Sequence, residues 1–165
     1  MPEKTKREAR SIHVFTEKFT EGEEHSFKVI KTLIIPGEAA YYLLESMQGN
    51  RLLMPMAFYN GYNIKPGDTI RCRIDKINCS GKIFLEPEHP YYKPGCIYSF
   101  VICNVESITD RKGRRYDQYT LSGNIDSRSS AIFQGNNRHK VNDKIQARLE
   151  RIRKGVLILS VLESY

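Results

Sequence analysis

The chain has 165 residues, 40% of them hydrophobic and 27% charged, a globular balance that excludes a disordered protein and allows one ordinary domain or two small ones. Its net charge of +7 climbs along the chain, from −1 over residues 1–25 to +3 over 26–96 and +5 over 97–165, which suggests an anionic partner. No segment is apolar enough to span a membrane, and "MPEKTKREARSIHVF" has no signal-peptide core, so a cytoplasmic protein with reduced cysteines is expected.

Residues 1–25 read as an N-terminal arm of mixed charge. Its His13, Val14, Phe15 and Phe19 either stay mobile or cover the first folded unit. Strands are then expected at "HSFKVI" (25–30), at "YYLLE" (41–45) and near Arg51–Met54. "AFYNGYNIKPGD" is long enough for a helical turn. A hairpin closes the first half, "KPGDTIRCRIDKINCSGKIFLEP" (65–87). Period two puts Ile70, Cys72 and Ile74 on its inner face with Ile83 and Leu85, and Arg71, Arg73 and Asp75 outside. Pro87, Pro90 and Pro94 stiffen the connector "EPEHPYYKPG".

The same series then recurs. "YSFVIC" (98–103) matches "HSFKVI", "QYTLS" (118–122) parallels "YYLLE", and a third strand is expected near Ser129–Phe133. "QGNNRHKVND" occupies the place of the helical turn. "VNDKIQARLERIRKGVLILS" (141–160) repeats the hairpin, with Asp143 for Asp68, Ile145 for Ile70, Arg148 for Arg73 and Ile152 for Ile77. With one residue dropped in the turn, Gly155 falls on Gly81 and Leu159 on Leu85. Ala147 stands opposite Cys72, so that inner position calls for a small side chain. Five strands in roughly 65–70 residues per half is the size and order of a Greek-key OB barrel. The expected architecture is all-β, two tandem five-stranded OB barrels at 26–92 and 93–165.

The hairpin residues Gly67, Asp68, Ile74, Asp75, Gly81, Ile83 and Leu85 resemble the last two strands of the S-one-type RNA-binding domain, named for a ribosomal protein. The second copy departs from that pattern with Asn142 for Gly67 and Glu150 for Asp75. The resemblance implies an OB fold and single-stranded RNA as the ligand.

Candidate sites follow from charge and aromatics. "TDRKGRR" (109–115) joins the first two strands of the second half and presents Arg111, Lys112, Arg114 and Arg115; "RIRKG" adds Arg151, Arg153 and Lys154. In OB folds these two loops frame an oligonucleotide groove, where cations track phosphates. The corresponding first-half loop, "IIPGEAA", has no cation. Stacking rings are sought in Tyr116, Tyr119 and Phe84, and in one of Tyr41 and Tyr42. Phe58, Tyr59 and Tyr62 are expected to plug a barrel end. Each such ring or cation also has a purely structural use, as core packing or as a solvated turn.

Cys72 and Cys79, like Cys96 and Cys103, have six residues between them. That is too wide for the tight turns of a zinc ribbon, so no metal is expected and the four are read as small buried hydrophobes. No cofactor motif or catalytic constellation is legible. The expected function is non-enzymatic binding of single-stranded RNA, with single-stranded DNA as second candidate. The alternative is a protein-interaction adaptor whose partner docks on the first barrel through the apolar "LIIP" and "LLMPM" stretches.

Overall fold

A computed structural model describes residues 17–126, 130–135 and 139–162. Every regular element in it is a strand, apart from one 3₁₀ turn at Asn60–Tyr62. The first unit holds β1 (Glu24–Ile34), β2 (Ala40–Ser46), β3 (Arg51–Pro55), β4 (Thr69–Ile77) and β5 (Ile83–Pro87). The second holds β6 (Ile97–Thr109), β7 (Arg115–Gly123), β8 (Ala131–Gly135), β9 (Lys144–Arg153) and β10 (Val156–Val161). No helix among the described residues is long and apolar enough to cross a membrane.

The strand order is β3-β2-β1-β4-β5 in the first unit, and the second repeats it as β8-β7-β6-β9-β10. In the second unit the ends meet: β8 and β10 pair in parallel through Ala131 with Leu157 and Ile132 with Ile158, closing a barrel. In the first unit β3 and β5 approach each other without a hydrogen-bonded ladder. These two strands end at Pro55 and Pro87, which have no N–H to extend one.

The alternation expected of the hairpins is present. Cys72 and Ile74 are buried with Ile83 and Leu85, and Ile145, Ala147 and Leu149 with Leu157 and Leu159. Ile70 is half-buried at the edge of its core; Arg71 and Arg148 are exposed, and Arg73 is half-buried. Each unit has its own apolar cluster fed by all five of its strands, as a sheet curled on itself requires.

Backbone detail recurs between the units. Bulges fall after Val29 in β1 and after Ile102 in β6, and again at Asp75 in β4 and Glu150 in β9. Gly67 N–H donates to Val29 O at 2.7 Å, and Asn142 N–H to Ile102 O at 2.8 Å. Asp68 Oδ2 accepts the Lys65 N–H at 2.9 Å, and Asp143 Oδ2 the Lys140 N–H at 2.8 Å. This explains why Asn142 stands where the first hairpin has glycine. Both positions have positive φ, 94° and 74°, and asparagine is the side chain that tolerates it best. Asn142→Gly should therefore leave stability nearly unchanged in urea denaturation, whereas Asn142→Ala should cost about 1 kcal/mol. Equal stability of the two variants would contradict this account.

Three expectations need correction. The first unit reaches back past residue 26: β1 starts at Glu24, Phe19 is buried against the core, and Gly22 N–H bonds Ile74 O at 2.8 Å. Phe19 thus lies over the first unit, while His13, Val14 and Phe15 fall outside the described residues. The connector is no plain spacer, because Tyr92 inserts into the second core. There it lies parallel to Phe100 with ring centroids 6.1 Å apart, and its hydroxyl accepts the Asp126 N–H at 3.1 Å. Only Cys72 is buried; Cys79, Cys96 and Cys103 are exposed, being turn or outward-facing strand positions. The third strand of the second unit is Ala131–Gly135; Ser129, and residues 136–138 of "QGNNRHKVND", lie outside the described residues.

Candidate nucleic-acid interface

The gap between β3 and β5 is a groove of about 610 Å³. Strand alternation builds its walls. In β3 Arg51 and Leu53 face outward while Leu52 and Met54 enter the core. In β5 Phe84 faces outward between buried Ile83 and Leu85. In β2 Tyr42 is 4% exposed, which turns its neighbour Tyr41 out to line the groove. Phe58, expected to plug the barrel end, instead lies on the groove wall and is 44% exposed, while Tyr59 does enter the core.

Four rings therefore line the groove, the accessible Tyr41, Phe58 and Phe84 and the buried Tyr59, together with five cations, Arg51, Lys76, Lys82, Arg153 and Lys154. Three carboxylates, Glu38, Asp75 and Glu86, also line it, so the formal balance is positive. The cations are placed by weak neighbours. Lys82 Nζ lies 5.2 Å from the centre of the Phe84 ring and Lys154 Nζ 5.3 Å from that of Phe58. Arg51 Nε is 3.3 Å from Glu45 in an exposed pair, which holds the guanidinium without neutralising the groove.

Arg153 and Lys154 belong to the second unit, at the tip of its β9–β10 hairpin. That turn packs on the first unit. The Glu86 carboxylate, 6% exposed, accepts the Lys154 N–H at 2.8 Å, the Gly155 N–H at 3.0 Å and the Tyr59 hydroxyl at 3.1 Å. Burial pushes the Glu86 carboxyl above the ordinary carboxylate range, and these three donors pull it back. Burial likewise raises Tyr59, which stays a neutral donor.

The structure divides the residues chosen from the sequence. Phe84, Arg153 and Lys154 come together in the groove. Arg111, Lys112, Arg114 and Arg115 lie at the β6–β7 turn, exposed and outside that groove. Asp110 fastens this turn: its Oδ1 accepts the Lys112 and Arg114 N–H groups at 2.8 and 2.9 Å, and its Oδ2 pairs with Arg114 Nε at 2.8 Å. The same donors hold its carboxyl below the usual range, the Arg114 N–H first among them. Arg151 is exposed on β9, and Tyr116 is half-buried on β7. Tyr119 is corrected as an open stacking ring. It is 1% exposed and packed face to face on Phe133 at 4.2 Å, because β7 turns Tyr119 and Leu121 inward.

Arg51, Lys76 and Lys82 are groove cations that the sequence alone does not single out. The signal for Lys82 is legible in hindsight, since Lys82 ends the β4–β5 turn two residues before Phe84 and shares its outward phase. Searches against protein-family models, curated proteins and solved structures found no match to the chain.

Proposed function

We propose that the chain is a non-enzymatic binder of single-stranded nucleic acid, RNA before DNA, built from two OB-type barrels in tandem. The shared strand order, the matched bulges and the matched turns support reading both units as one barrel design, closed in the second and open at the β3–β5 seam in the first. The observation that carries the function is the seam groove. Rings and cations line it together, as a single strand needs: bases stack on aromatic faces and phosphates meet Lys and Arg. Tyr41, Phe58 and Phe84 stack bases, while Arg51, Lys76, Lys82, Arg153 and Lys154 hold the backbone. The exposed Arg111, Lys112 and Arg115 offer further phosphate contacts to a longer strand. Bases in a duplex are stacked on each other and cannot reach such rings, so unpaired strands are the expected ligand.

The adaptor reading rests on a different observation, the exposed Ile34 and Met47 of the first unit, 83% and 85% accessible. Titration of labelled single-stranded RNA and DNA at low and moderate salt separates the two. Salt-sensitive binding without strong sequence preference is expected. A wild-type protein that binds neither strand at low ionic strength ends the nucleic-acid reading and leaves the adaptor in its place.

A further inference from the structure

Glu86 is a costly residue to place beside a groove that attracts phosphate. Its alternation phase is that of Phe84, facing out, yet it is 6% exposed because the β9–β10 turn of the second unit covers it. That turn is a two-residue hairpin loop with positive φ at Lys154 (50°) and Gly155 (75°). Its two successive N–H groups both point at the one carboxylate, a backbone nest filled by a side chain of the other unit. The fit is close. A Cβ on Gly155 would lie 2.3 Å from Phe58 O, so only glycine lets the turn come this near. Arg73 adds a long bond to Ile152 O at 3.4 Å.

Two cations, Arg153 and Lys154, flank these N–H groups and reach the groove only while the turn stays docked. We infer that Glu86 is a positioning residue, which holds the β9–β10 turn against the first unit so that the second unit supplies two phosphate-binding cations to the first unit's groove. The site is then composite, and its affinity depends on docking between the units. This rests on the nucleic-acid reading of the groove. It makes a prediction opposite in sign to simple electrostatics: removing a negative charge from an anion-binding groove should tighten binding, whereas here it weakens it.

The test uses the full chain with Glu86→Leu, which removes both acceptors, and Glu86→Gln, which keeps one and covers the case in which leucine does not fold. Affinity for a single-stranded RNA oligonucleotide is measured over a range of salt, and amide exchange is followed at Lys154 and Gly155. With two cations withdrawn from the backbone, the log–log salt slope should fall by about 1.4 and binding should weaken tens of fold at about 50 mM salt. Glutamine should fall between leucine and wild type, and exchange at the two amides should quicken in the same order. On an Arg153→Ala, Lys154→Ala background, Glu86→Leu should add no further loss. Unchanged or tighter RNA binding by the Glu86 variants, or unaltered amide exchange, would overturn the inference while the groove reading stands. Absence of binding by wild type would instead overturn both.

Discussion

Phe27→Ala should cost about 3–5 kcal/mol, read as a lowered urea midpoint with the slope preserved. Phe27 is fully buried, on β1, the strand that pairs with both β2 and β4. It stands opposite Ile70 in the β4 ladder and lies parallel to Phe19 with centroids 6.3 Å apart. Removing the ring leaves a cavity that β1, held in register by ladders to β2 and β4, cannot collapse to fill, so the lost transfer energy and the cavity add. Phe100→Ala should cost as much in the second unit, since Phe100 faces Ile145 as Phe27 faces Ile70. Domains of this size have only about 5–15 kcal/mol in hand, so either change removes a large share. A cost under about 1 kcal/mol at both positions would mean that the two clusters are not the cores.

The largest effect on binding is expected from the rings of the seam. Phe84→Ala should weaken single-stranded RNA by about 1–3 kcal/mol and leave the salt slope as it was, because stacking involves no counterion release. Tyr41→Ala should behave alike, and the pair should be roughly additive if each ring holds its own base. Phe84 is the more telling residue. Alternation turns it out between buried Ile83 and Leu85, 37% exposed, and Lys82 Nζ lies over its ring. Tyr119→Ala should act differently. Its ring is locked on Phe133 inside the second core, so its loss should appear as instability measured by thermal melting. Equal losses of RNA affinity from Phe84→Ala and from a destabilised core variant would argue that the seam has no special part.

Much of the architecture can be read directly from the residues. Period-two alternation places the hairpin faces, because Ile74 and Leu149 sit in strands with one dry side and one wet side. What alternation cannot carry is a bulge. The extra residues at Asp75 and Glu150 shift the phase locally, and no side-chain pattern marks them. The inward turn of Tyr119 escapes a sequence reading for a simpler reason: a tyrosine suits both a half-exposed face and a core, and only the register with Phe133 decides. The composite groove is the least legible feature. "RIRKG" announces a basic hairpin tip, but nothing local says that the tip docks on Glu86, 68 residues earlier than Lys154. Long-range packing between units leaves no periodic trace in either one. The cation-free "IIPGEAA" loop suggests a first unit poor in cations, whereas Arg51, Lys76 and Lys82 reach its groove from strands and the hairpin turn instead.

The seam groove as the nucleic-acid site is tested most directly by one salt titration of single-stranded RNA against two variants. One replaces Arg51, Lys76 and Lys82 with Ala; the other replaces Arg111, Lys112 and Arg115. On a short oligonucleotide the groove variant should lower the log–log salt slope by about 2.1, at about 0.7 for each phosphate that regains its counterion. The turn variant should leave the slope close to that of wild type. A groove variant with the wild-type slope, alongside a turn variant that loses it, would contradict the account and move the site to the β6–β7 turn.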